Sequence, residues 1–146
     1  MLMALILPVL MALLMTGMAV GERYLEVAQA EDALRQAARS AVQSFAYQQF
    51  AEDSIGIDEG RAYEIAQRTL LANLVHVHGL AEHAEAAAAR VVWNVLPAGG
   101  TCDFGGRRAA VQAIGPLICA SWRPSFVGVV GYGIWEVQID VAEQLD

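Results

Sequence analysis

Lysine is absent from this chain; all nine basic residues are arginine, set against 16 acidic ones for a net charge of −7. That balance argues against a nucleic-acid binder, which presents a basic face to phosphate. Charge of either sign is absent from Met1 to Gly21, MLMALILPVLMALLMTGMAVG. Glycine and proline are absent from Glu22 to Ile55, so nothing in that stretch breaks a helix. Also absent are a P-loop, a Gly-x-Ser-x-Gly elbow, a dinucleotide fingerprint and any Cys-x-x-Cys pair. With them go the commonest signs of phosphate, acyl-transfer and redox chemistry. The paired acids Glu31-Asp32 and Asp58-Glu59 read as helix-surface and capping groups. Nothing here argues for an enzyme or a cofactor.

What is present is organised around the charge-free run. A hydrocarbon core of roughly 30 Å takes about 20 apolar residues in helical form, so residues 1–21 are long enough to span it. Two readings compete. One is a cleaved signal peptide, which wants a basic n-region and an apolar stretch of roughly 7–15 residues. The other is a buried core helix, for which so short a chain has too little else to wrap the run. The expectation is therefore a retained helix, in a membrane or a filament core, with Leu10 near its middle. Pro8 removes one backbone hydrogen bond inside it, so a kink or a fray is expected there. Neighbours in lipid or in a packed bundle can compensate for that loss. Gly17 and Gly21 form a GxxxG pair, which lets helix backbones approach closely.

Residues 22–50 continue the helix amphipathically. Val27, Ala30, Leu34, Ala37, Ala41 and Phe45 recur at three- and four-residue spacings and make one shallow apolar stripe. Glu31 and Arg35 stand four apart in the favourable order. Because the stripe is mostly alanine, whatever covers it must come close: another subunit, or the chain's own domain. The segment AEDSIGIDEG (51–60) reads as a connection, with Gly56 as breaker and Asp58 as N-cap. A second helix is expected over Glu59–Val75, its apolar face marked by Tyr63, Ala66, Leu70 and Leu74 and widened by Ile65. Gly79 ends it.

The run LAEHAEAAAA (80–89) has helical propensity but leads straight into the β-like ARVVWNVL. The last third is strand-like, punctuated by Pro97, Gly99-Gly100, Gly105-Gly106, Pro116 and Pro124. From Trp135 to Val141 apolar and polar residues alternate strictly, which predicts one strand with one buried face. Val111–Ile114 and Leu117–Trp122 read as a strand interrupted at Gly115-Pro116, which suits an edge or a bulge. The fold class is α+β: a long N-terminal helix, apolar in its first half, a second helix, and a small antiparallel sheet of three or four strands packed on the long helix. Residues 51–146 make one small domain.

His76, His78 and His83 are the one cluster with metal-ligand chemistry. His76 and His78 stand two apart at a helix end, where they point in different directions, and Glu82 and Glu85 make the region a polar turn. No metal site is expected. Cys102 and Cys119 both follow the apolar run; in an oxidising compartment they would pair, and in the cytosol they would be buried thiols.

The stretch ALILPVLMALLMTGMAVGERYLEVAQAEDALRQAARSAVQ resembles the N-terminal half of TadE-like minor pilins from tight-adherence (Flp, type IVb) pili. The shared features are an apolar run broken at Leu7-Pro8, a junction near Glu22–Tyr24, and an alanine-rich helix carrying Ala37-Ala38-Arg39. They cover about the first 45 residues and, more loosely, the second helix. The resemblance implies a single-pass inner-membrane protein with a long N-terminal helix and a small extracytoplasmic α+β domain. It also implies assembly into or beneath a surface pilus through contacts with copies of itself or with other pilins. With the domain outside the cytoplasm, Cys102 and Cys119 are expected to be joined. Pilins generally keep a glutamate at the fifth mature position; counted from Met1 that place is Leu5, and no acid precedes Glu22. The expectation is that the mature start lies upstream or that this contact is dispensed with. A reading from another class is a membrane-anchored binding or scaffold module of an envelope or secretion complex that never polymerises.

Overall fold

A computed structural model describes residues 2–51, 59–128 and 133–145, with side chains from 6–45 in the first of these segments. Helix α1 runs unbroken from Leu2 to Ala51, 50 residues, with Pro8 inside it. At 1.5 Å per residue it is about 75 Å long, several times the width of a small domain core. Helix α2 (Glu59–Leu74) returns along it. The short α3 (Ala84–Ala89) leads into β1 (Val92–Leu96), so the alanine-rich run is helical up to Ala89 and extended beyond Val91. The other strands are β2 (Gly100–Cys102), β3 (Val111–Ala113), β4 (Leu117–Trp122), β5 (Ser125–Val127), β6 (Ile134–Glu136) and β7 (Ile139–Gln144). The expected connection at 52–58, with Asp58 as its cap, lies outside the described residues.

The main sheet has three antiparallel strands in the order β1-β4-β7, and β4 and β7 pack on α1. Two antiparallel ribbons, β2-β3 and β5-β6, flank it. Two sequence expectations need correction. Leu117–Trp122 is the central strand, not an edge: Gly115-Pro116 lies ahead of it and separates it from β3, which belongs to another ribbon. Trp135–Val141 is not one strand. Burial alternates only in part, since Val137 and Gln138 are both half-buried and the Asp140 side chain is covered. The hydrogen-bond ladder changes partners at Val137–Gln138, where the Val137 N–H donates to the Pro124 carbonyl (3.3 Å).

The core lies between the second half of α1, α2 and the main sheet. The apolar stripe is buried as the periodicity required: Ala30, Leu34, Ala37, Ala41 and Phe45 are fully buried, and Val27 is half-buried. It is also wider than one row, since Ala33, Ala38 and Val42 are buried too. Alanines admit both α2 and the sheet at close range, so the chain's own domain covers this face. On α2 the buried row is Ala62, Ala66, Leu70 and Leu74; Tyr63, expected on the apolar face, is 47% exposed. Arg35 and Arg39 reach Glu143 on β7 (3.6 and 3.5 Å), and the expected Glu31–Arg35 pair forms at 2.7 Å. Trp122 donates its indole N–H to the Ala87 carbonyl (3.0 Å), which fixes α3 against β4.

Ala37→Leu is therefore expected to overpack a filled contact, at about 1–3 kcal/mol. The cost should appear in thermal unfolding of the full chain in detergent micelles, with membrane insertion unaffected. Unchanged stability would mean that the helix face is looser than the buried alanines indicate.

Candidate functional site

From Ile6 to Glu22 the side chains of α1 stand clear of the domain. Ile6, Leu7, Val9, Leu10, Met11, Leu13, Leu14, Met15, Met18 and Val20 are all exposed, from 48% at Ile6 to 72% at Met15. Full burial of one such side chain is worth roughly 1.5–3 kcal/mol. Ten of them left in water would outweigh the roughly 5–15 kcal/mol that holds an ordinary domain together. This segment needs an apolar surrounding. It is the one helix among the described residues that is long and apolar enough to cross a membrane. Its lone hydroxyl, on Thr16, donates to the Ala12 carbonyl one turn back (2.8 Å), so it presents no open donor to lipid.

Leu10, Gly17 and Gly21, singled out as helix-packing positions, lie in this uncovered segment. A Cβ built on Gly17 or Gly21 would meet nothing within 4 Å, so both are open to an approaching neighbour. Val27, Ala30, Leu34, Ala37 and Ala41, singled out with them, are instead packed within the chain's own domain. The sequence pattern is continuous across residues 21–27, but the surroundings are not: the helix passes there from open to enclosed.

That junction is a built collar, which sequence reasoning missed. Arg23 pairs with Glu26 (2.6 Å) and donates through Nη2 to the Gly128 carbonyl (2.9 Å). The Glu26 carboxylate presses against Gly79, whose φ is +78° and where a Cβ would fall 2.3 Å from a carboxylate oxygen. The left-handed φ favours glycine at that place. An arginine and a glutamate three apart, directly after a charge-free run, were the available signal, but their partners are 53 and 105 residues away in sequence.

Cys102 and Cys119 are joined, with their Cα atoms 5.7 Å apart. The bond ties ribbon β2-β3 to the central strand β4 and sits in a second small core with Phe104 and Leu117. His76, His78 and His83 are exposed, and among the described residues no group of three or more histidine, cysteine or acidic side chains is placed to hold a metal.

One buried polar cluster remains. Asp140, its side chain 6% exposed, accepts from Ser121 Oγ (2.7 Å), Gln138 Nε2 (2.9 Å) and Arg107 Nε (3.3 Å). Burial alone would raise its pKa, but the hydrogen bonds from Ser121, Gln138 and Arg107, with the charge of Arg107, together bring it below the ordinary 3.8. A carboxylate so engaged is a structural acceptor and a poor proton donor. Its depressed pKa contributes stability in full above about pH 3.8, and that contribution is lost as pH falls through the folded-state value. The stability gap between the native chain and Asp140→Asn should accordingly narrow as urea unfolding in micelles is taken from pH 6 towards pH 3. A gap independent of pH would remove this role.

Comparison of the chain with protein-family models, with curated proteins and with solved structures finds no match.

Proposed function

We propose that this chain is a structural, non-enzymatic, pilin-like subunit that assembles through its apolar N-terminal helix. The observation that carries the reading is a span-length helix, uncovered on every side, rigidly joined to a disulfide-bonded α+β domain. Such a helix is stable only in lipid or against other apolar helices. It rests first in the inner membrane as a single pass, with the domain outside the cytoplasm. Transfer into a filament then exchanges lipid for neighbouring helices, each Å² of apolar surface that stays out of water being worth roughly 25 cal/mol. Gly17 and Gly21 suit close contact with copies of the chain or with other pilins. The domain, acidic and stapled, would face outward.

The test is immunogold electron microscopy of sheared surface fractions from cells carrying an epitope-tagged full chain. Label distributed along filaments supports the reading. Label confined to membrane vesicles, with filaments unlabelled, would overturn it in favour of an anchored scaffold module.

A further inference from the structure

We propose that the β5-β6 ribbon is a second membrane contact, its exposed pair Val127 and Ile134, the last described pair of the ribbon, lying in the lipid headgroup region beside the point where α1 leaves the bilayer. The inference rests on residues 2–21 spanning a bilayer and goes beyond it by giving the folded domain a lipid-facing surface of its own.

Position is the first argument. Gly128, at the end of β5, accepts from Arg23, which lies two residues beyond the charge-free run. Two helical residues advance about 3 Å. The headgroup layer on each side of the hydrocarbon is roughly 5–7 Å thick. The end of β5, tied at Arg23, is therefore inside that layer or at its edge.

Direction is the second. The Val127 N–H donates to the Gly79 carbonyl (2.8 Å), and Gly79 packs on Glu26. One residue further, Gly128 meets Arg23. From Ile118 on β4, paired with Glu143 beside Arg35 and Arg39, to Gly128 beside Arg23, the chain descends α1 towards the span, so the ribbon points at the bilayer. The Gly128 N–H to Gly133 carbonyl bond (2.8 Å) holds the two arms together there.

Chemistry is the third. The register pairs Ser125 with Glu136, Phe126 with Trp135, and Val127 with Ile134. Phe126 and Trp135 face inward and stack, with ring centroids 5.1 Å apart. The opposite face carries the other two pairs. Towards Ser125 it is polar, with Ser125 Oγ donating to Glu136 (3.4 Å). At the last described pair it is apolar, with Ile134 70% exposed and Val127 at 36%. Ser125 itself is buried; of the exposed residues on this face Glu136 lies above and Ile134 below, the order that a water–lipid boundary selects. Single exposed apolar residues are ordinary on a protein surface. These two form a cross-strand pair adjoining an uncovered span, and Tyr24, an interfacial residue type, is exposed at the same level.

The test uses the full chain, native disulfide oxidised, reconstituted in phosphatidylcholine–phosphatidylglycerol vesicles. An environment-sensitive fluorophore is placed on one added thiol at a time: Ile134→Cys, Ile114→Cys or Leu14→Cys. Ile114 is 99% exposed on the turn after β3, near the end of the sheet remote from Arg23. The label at 134 should be quenched by lipids brominated near the headgroup and be several-fold less sensitive to aqueous iodide than the label at 114. If the label at 14 is lipid-quenched while 134 behaves like 114, the ribbon contact is overturned and the span stands. If the label at 14 is itself reached by iodide, the span reading falls and the ribbon contact falls with it.

Discussion

Leu10→Arg is expected to abolish stable insertion of this chain and its incorporation into any assembly. Leu10 stands half-exposed in the uncovered segment, with Leu7, Met11, Leu13 and Leu14 around it on the same helix, all apolar. An arginine there would meet no acid of its own chain, since the first is Glu22. A charge at the centre of a bilayer costs about 2.5–3.5 kcal/mol on insertion scales. That is roughly a hundredfold in partitioning. A packed bundle of identical helices is no kinder, because every copy would bring the same cation. The folded domain should survive the change, since its contacts with α1 begin at Arg23. Carbonate extraction of membranes would then release intact, disulfide-bonded Leu10→Arg protein, while Leu10→Met stays in the pellet. Normal retention and assembly of Leu10→Arg would mean that this helix face is not buried in anything.

The second large effect concerns the staple. Replacing both cysteines, Cys102→Ala with Cys119→Ala, should cost about 3 kcal/mol in the chain-entropy account of a loop of this size. Their separation is 17 residues. Margins of 5–15 kcal/mol are typical of whole domains, so the loss is large. The structure adds where the damage would fall. Ribbon β2-β3 is three residue pairs long, and its attachment to β4 consists of the bond and the few apolar side chains beside it. Without the bond the ribbon should open first, while the longer β4-β7 ladder holds. Hydrogen exchange should show protection lost across 100–113 before 139–144, together with a lower urea midpoint. An unchanged midpoint would mean that the ribbon is held by packing alone. Non-reducing mass mapping of native protein checks the compartment as well: two free thiols would count against an extracytoplasmic domain.

The periodic parts of this chain were legible because period reports burial directly. The stripe from Val27 to Phe45 and the row Ala66, Leu70 and Leu74 on α2 correspond to what is buried, and the alternation from Trp135 to Val141 does so in part. Pairing was not legible, because alternation says that one face is covered without saying which strand lies alongside. Hence the single strand expected over Trp135–Val141 divides between two sheets, and the expected edge at Leu117–Trp122 is the centre. Tyr63 misled for a related reason: a large ring is apolar enough to mark a face, but Ala62 is small enough to let α1 approach. The collar was invisible for want of range, since Arg23 and Gly128 stand 105 residues apart.

The grip of Arg23 on Gly128 and of Glu26 on Gly79 leaves no swivel between the span and the domain, because α1 continues through both without a break. Each helical residue turns the chain by about 100° and advances it by about 1.5 Å. The compass bearing of the domain is thus keyed to the rotational phase of the span, like a blade fixed to a splined shaft. One residue inserted between Gly17 and Gly21 would leave both parts intact and swing the domain through about 100° relative to whatever the upper span faces. In any assembly, the azimuth of the outer surface is then decided inside the apolar layer, by which side of Leu10 and Gly17 meets a neighbour.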